Sequence, residues 1–345
     1  MGAGNGEDAM EIAQTRRRFL TTLSLAGAAS LLRLPRALAA EDALETTMVR
    51  LVNDGVICEA PLMAAADLLR AEGFTDIRYV KVPLDVPHIV GSALAEAKVD
   101  FGLNFAQFEV AALAELSGQT VLAGVHVGCI ELFARNDIRS IAGLKGKTVG
   151  LQIIPADLLR LMALEVGLDP AKDINWVTGA DQQARPLDLF AAGKIDAFLA
   201  FPPEPQELRA RGLGHVILNT AVDRPWSQYF CCTFVGNRDY VRKYPVATKR
   251  VVRAILKTTD LCAADPAGIA QRIVASGFTP SYDNALQTLS DIPYNNWRDF
   301  DIEDSLRFYS LRMRDAGLIT ATPQQIIAKG TDWRFLNELK RELKA

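Results

Sequence analysis

Cys231 and Cys232 stand side by side in a chain of 345 residues that holds five cysteines and three histidines. Adjacent thiols invite a metal or redox reading, but either chemistry needs supporting ligands or a partner at a regular spacing. Cys58, Cys129 and Cys262 follow no such spacing, and an odd count is not a disulfide framework. His88, His126 and His215 form no ligand or catalytic pattern. The pair therefore reads as buried thiols in a strand, with no metal and no cofactor expected. A Gly-x-Ser-x-Gly elbow, a His-Glu-x-x-His pair and a phosphate loop are all missing, so hydrolytic and nucleotide-driven reactions have no motif here.

Binding has better candidates, because one twelve-residue segment occurs twice. Leu94 to Phe105 (LAEAKVDFGLNF) and Phe190 to Phe201 (FAAGKIDAFLAF) match at Ala95/Ala191, Lys98/Lys194, Asp100/Asp196, Leu103/Leu199 and Phe105/Phe201. Each copy reads as the end of a helix, a Lys and Asp flanking a β-branched residue, then a short apolar run suited to a buried parallel strand. Ligands of open α/β sheets bind beyond the carboxyl ends of the strands. That rule selects Asn104 and Phe105 after one copy and Phe201 and Glu204 after the other. The same position after other strands adds Asp54, Cys58, Gln152 and Asp181, with Tyr229 at the start of a later strand. Phe105 and Phe201 are placed to sandwich a flat ligand, Tyr229 to offer its hydroxyl or brace a hinge. Asp54, Glu59, Asp181 and Glu204 are acidic and Arg185 is the one base close to any of them, which points to a neutral or partly cationic, planar organic ligand.

The elements around these positions alternate. Thr47 to Val52, Ile77 to Val82, Val99 to Leu103 and Thr120 to Val127 read as strands, with helices from Pro61 to Glu72, Pro87 to Ala97 and Ala106 to Leu116 between them. This succession calls for a largely parallel, doubly wound sheet. A second series opens with a short helical turn feeding a strand over 141–150 and runs through strands at 174–177, 195–200 and 215–218, with helices at 156–166, 185–192 and 204–211. Ile130 to Ala134 and Tyr229 to Val235 suit crossings between two lobes. From Asp239 onward only helices are expected. The resulting division is lobe 1 over 40–135 and 236–345, and lobe 2 over 136–235.

The amino terminus bears on compartment. Arg16-Arg17-Arg18-Phe19-Leu20 opens a mildly apolar stretch ending near Leu32, and Ala37-Leu38-Ala39 supplies small residues before a cut, the order of a twin-arginine signal peptide over residues 1–39. Cleavage near Ala39 leaves 33 basic and 38 acidic side chains, a balance with no nucleic-acid footprint. No stretch is long and charge-free enough to span a bilayer, so a soluble periplasmic protein without membrane insertion is expected.

The ordered set of leader, AlaLeu-x-x-x-LysValAsp, GlyLeuLysGlyLysThrValGly, PheAlaAlaGlyLysIleAspAla with PheProProGluPro behind it, and Tyr240 to Ala254 resembles the periplasmic substrate-binding proteins of nitrate/sulfonate/taurine/pyrimidine-precursor ABC transporters. The resemblance covers nearly the whole mature chain. It implies an α/β clamshell of two doubly wound lobes joined by two crossover strands, with a helical C-terminal region. It also implies a monomer, not an enzyme, that delivers a small molecule to an inner-membrane permease with its ATPase. Two alternatives stay open. One is an enzyme of the same fold that forms a pyrimidine with a pyridoxal cofactor, of whose cysteine patch Phe230-Cys231-Cys232-Thr233-Phe234 is a faint echo. The other is a sensory module that presents a ligand.

Overall fold

The computed structural model of the protein describes residues 42–82, 89–151, 156–178 and 184–343, without the side chains of 156 and 157. The leader, Gln152 and Asp181 lie outside the described residues. Among the described residues ten strands form two five-stranded sheets. In chain order they are β1 (Met48–Asn53), β2 (Asp76–Lys81), β3 (Phe101–Phe105), β4 (Gln119–Val127), β5 (Glu131–Ala134), β6 (Thr148–Leu151), β7 (Asn175–Thr178), β8 (Ala197–Ala200), β9 (His215–Asn219) and β10 (Phe230–Asn237). The sheet orders are β2-β1-β3-β10-β4 and β7-β6-β8-β5-β9. They are the same order, with a strand from across the molecule inserted in fourth place.

That inserted strand corrects the expectation of largely parallel sheets. β10 runs antiparallel to both β3 and β4, and β5 runs antiparallel to both β8 and β9. The segments read as crossings are thus full members of the sheets: β5 belongs to the second sheet and β10 to the first. The chain passes over at 128–130 and returns through 220–229. β5 and β10 are buried along their whole length, and an apolar run covered on both faces looks alike in either direction.

The repeat has a structural cause. Asp100 precedes β3 and Asp196 precedes β8, and each carboxylate caps the neighbouring parallel strand. Asp100 accepts the Arg50 backbone N–H at 2.7 Å, and Asp196 accepts that of Thr148 at 2.8 Å. Each Asp carbonyl also takes the first bond from the inserted strand's end, from Asn237 at 2.8 Å and Arg135 at 2.9 Å. Three residues before the aspartates, Ala97 and Gly193 both hold positive φ, 54° and 77°, to end the preceding helix. Glycine meets that demand without cost; alanine in the first copy does not.

Among the described residues helices follow β10 without further strands, from Arg238–Lys243 to Arg334–Glu342; the one helix expected over Tyr240 to Ala254 breaks at Tyr244, and Pro245 opens the next, Pro245–Ala264. The side chain of Asn237 accepts the Tyr240 N–H at 2.7 Å and so starts the first of them. The helix Ile302–Asp315 packs on Ala106–Glu115, and Pro245–Ala264 packs on the short helices after β1. Among the described residues no helix is long and apolar enough to cross a membrane.

Candidate functional site

Five groups of the first sheet gather at the carboxyl ends of β1 and β3. Asp54 leaves β1, and its Oδ1 accepts the Val56 N–H at 3.0 Å. Burial pushes its carboxyl up to about 6. Glu59, 2 % exposed, shares a hydrogen bond with it; burial first, then the Asp54 charge, holds Glu59 well above the carboxylate range. Within the pair Glu59 is thus the proton donor and Asp54 the acceptor. At the end of β3, Asn104 Nδ2 donates to Glu109 Oε2 at 2.8 Å, and its backbone carbonyl accepts from Thr233 Oγ1 at 3.1 Å. Burial raises Glu109, with no exposed surface, to about 7. Gln107, one per cent exposed, has neither amide atom bonded among the described residues. A buried primary amide with no partner is costly unless a ligand or water completes it.

The second sheet comes near this group at a ring contact. Phe201 follows β8 and its ring centroid lies 5.4 Å from that of Phe105, tilted by 36°. Phe105 is held in turn by the edge of Phe108 at 5.7 Å. A flat molecule between two rings needs about 7 Å, two contacts of about 3.5 Å, so the rings here touch each other directly. Glu204 Oε2 accepts the Phe201 N–H at 3.3 Å and fixes the turn. Tyr229 stands apart, stacked on Phe308 at 3.7 Å and 19° in the return segment. Arg209, on the helix after Phe201, bonds Glu131 at 2.5 Å and Asp291 at 2.8 Å. Asp291 ends a C-terminal helix, so this set ties the second sheet's helix to the C-terminal region.

The cysteines differ from the sequence reading, which found them no ligand cluster. Sγ of Cys58, Cys129 and Cys232 and a ring nitrogen of His126 all lie within 4.8 Å of one another, and all four residues are buried. Cys232 is the register partner of both Phe105 on β3 and His126 on β4, so these side chains form a row on one face. Hydrogen bonds with Cys129 and Cys232 bring the Cys58 thiol well below its usual value despite burial. All five cysteines are unbridged.

Gln107, Glu109, His126 and Cys129 were missed by sequence reasoning, and Glu59 was counted only among the acids of these loops. For the first two a signal existed: FAQFEVAALA sets Gln107 and Glu109 in an otherwise apolar run.

Residues 136–275 match the family model described as the NMT1-like family. No curated protein matches the chain. Among solved structures, the alkanesulfonate-binding protein SsuA from Xanthomonas axonopodis pv. citri bound to MOPS is 18 % identical with a TM-score of 0.67, over 84 % of this chain and all of that one. The periplasmic nitrate-binding protein NrtA from Synechocystis PCC 6803 is 15 % identical with a TM-score of 0.70, over 88 % and 90 %. A Candida albicans gene product described as exhibiting the generic periplasmic binding protein fold is 14 % identical with a TM-score of 0.63, over 83 % and 96 %. At these identities the likeness is one of fold, and it agrees with the α/β clamshell and the family resemblance read from the sequence.

Proposed function

We propose that this chain is an extracytoplasmic solute-binding protein that closes two lobes on a small organic molecule and hands it to an ABC permease driven by its ATPase. The observation that carries this is the Phe105–Phe201 contact, which joins equivalent strand ends of the two sheets beside partnerless Gln107. The sulfonate- and nitrate-binding neighbours support the reading. The lobes divide at 128–130 and 220–229, where Thr220 Oγ1 accepts from Cys129 and Ile130 N–H at 3.2 and 3.0 Å. At Gly128 the two crossings approach so closely that a Cβ would stand 2.1 Å from the Ala221 Cα.

The ligand is neutral or cationic and flat, and it parts the two rings. Among the described residues no Lys or Arg bonds to Asp54, Glu59, Asn104, Gln107 or Glu109, so an anion would meet an acidic, uncompensated wall. Gln152, Asp181 and Glu204 complete the ligand set in this proposal, and Tyr229, stacked on Phe308, braces the return segment instead. One observation favours an enzyme instead: the lowered Cys58 thiol lies beside His126, the arrangement of an activated nucleophile. Cys58 has no exposed surface, however, and its neighbours are other thiols.

Native mass spectrometry of protein taken from its host separates the two readings. Binding gives one adduct released unchanged on unfolding; an adduct that returns chemically altered, or covalently attached to Cys58, refutes it. Export rests on residues 1–39. Changing Arg16 and Arg17 together to Lys should hold the precursor in the cytoplasm, and undiminished periplasmic yield would remove the twin-arginine assignment.

A further inference from the structure

Four ligand-type side chains converge from four parts of the chain at the root of both crossings. Cys58 sits in the turn after β1, His126 near the end of β4, Cys129 in the first crossing and Cys232 on β10. Their ligand atoms lie within 4.8 Å of one another. His126 Nδ1 is 3.0 Å from the Gly128 carbonyl, which fixes the proton there and leaves Nε2 as a bare lone pair. That Nε2 is buried and has no partner among the described residues. A ring nitrogen held by a backbone carbonyl on one side and open on the other is the arrangement of a metal-ligating histidine.

We propose that Cys58, His126, Cys129 and Cys232 bind one tetrahedral Zn²⁺ ion. Bond lengths of about 2.3 Å to sulfur and about 2.0 Å to nitrogen set ligand atoms roughly 3.5–3.8 Å apart around a tetrahedron, inside the span observed. Three thiolates and an imidazole form a complete set with no open position, so the ion is structural. Three S–H bonds give way to three S–Zn bonds and the protons leave to solvent. Cys231 Sγ, 3.3 Å from Cys129 Sγ, is not a ligand but a thiol donor to one. Cys129 lines a small pocket with Glu131, Gln206 and Asp291, which gives the ion a route inward. The site staples the Cys58 turn to the end of β4, the first crossing and the start of β10, and it is independent of which solute is captured.

The full chain, produced with zinc in the medium and kept from oxidation, should carry one Zn²⁺ per molecule by elemental mass spectrometry. Metal-stripped protein should bind Co²⁺ one to one, with a thiolate-to-cobalt charge-transfer band and the strong visible bands of a tetrahedral site, both abolished by Zn²⁺. C58S and C232S should each reduce bound zinc at least tenfold, while C262S, in the helix Pro245–Ala264, retains it. If the ligand variants do not fold, the cobalt spectrum of the unaltered chain decides alone. A weak octahedral cobalt spectrum, zinc retained in a C58S/C232S double variant, or a disulfide between Cys129 and Cys231 in freshly isolated protein would each overturn the assignment.

Discussion

Glu109 is held at about 7 by burial, with only the Asn104 amide in its favour. Its folded value lies above the unfolded one of about 4.3, so the native state binds this proton more tightly. Stability from this group is then present below about pH 4.3 and is lost as pH rises towards 7, by a few kcal/mol at most. E109Q keeps an acceptor for Asn104 and removes the charge. We expect its Tm to exceed that of the parent at pH 8 and the gap to vanish or reverse at pH 4.5; a constant gap across that range would show that Glu109 is ionised in both states. At this scale the sequence was partly legible. Asn104, Phe105 and Phe201 were reached because a repeat fixes strand ends, and strand ends fix loops. His126 and Cys58 were not joined, because 68 residues separate them and only the order β2-β1-β3-β10-β4 brings their strands' ends to one place.

Asp100 and Asp196 show what an element needs in order to start in register. Asp100, one per cent exposed, takes three bonds from Arg50, through backbone N at 2.7 Å, Nε at 3.1 Å and a terminal guanidinium N at 2.6 Å. D100A leaves the strand start and a half-buried guanidinium unpaired, and charge-assisted bonds of this kind are worth about 1.5–3 kcal/mol. At about 2 °C or more per kcal/mol, Tm should fall by about 5 °C. D196A, which loses one such bond from Thr148, should fall by less. Calorimetry giving D100A the half-kilocalorie effect of an ordinary surface change would mean that the repeat is not a strand cap. Strand existence was visible from apolar runs; strand direction was not, since β5 and β10 are apolar on both faces. Helix over Tyr240 to Ala254 was visible too; its start at the cap Asn237, also the last residue of a strand, and its break at Tyr244 were not.

In the proposed closure a few partly exposed ion pairs act in addition to the ring contact. Arg209 bridges Glu131 and Asp291, Gln206 Nε2 donates to Asp291 at 3.2 Å, and Arg312 lies 3.6 Å from Glu165. Exposed pairs contribute about 0.2–1 kcal/mol each. D291N should leave Tm within about 1 °C yet weaken ligand binding by up to about fivefold at low salt, a loss that shrinks as salt near 1 M screens the parent's pair too. Titration calorimetry at two salt concentrations checks it, and equal affinities at low salt would remove Asp291 from the closing set. The two α/β lobes, and with them the clamshell, followed from element succession and family resemblance, whereas the sheet order with β10 and β5 inserted antiparallel did not. How closely the halves approach did not, because closure depends on side chains more than 80 residues apart, such as Arg209 and Asp291.

The melting shift of the parent and of F201A across a panel of nitrate, alkyl sulfonates, aminopyrimidines and aromatic acids tests the central claim most directly. A ligand that touches both halves at 100 times its dissociation constant adds about 2.7 kcal/mol, or about 5 °C for a chain of this size. We expect a flat, neutral or cationic compound to give that shift, nitrate to give none, and F201A to fold normally while losing most of the response. Nitrate as the tightest ligand, or F201A with unchanged affinity for the best compound, would contradict a planar solute held between Phe105 and Phe201.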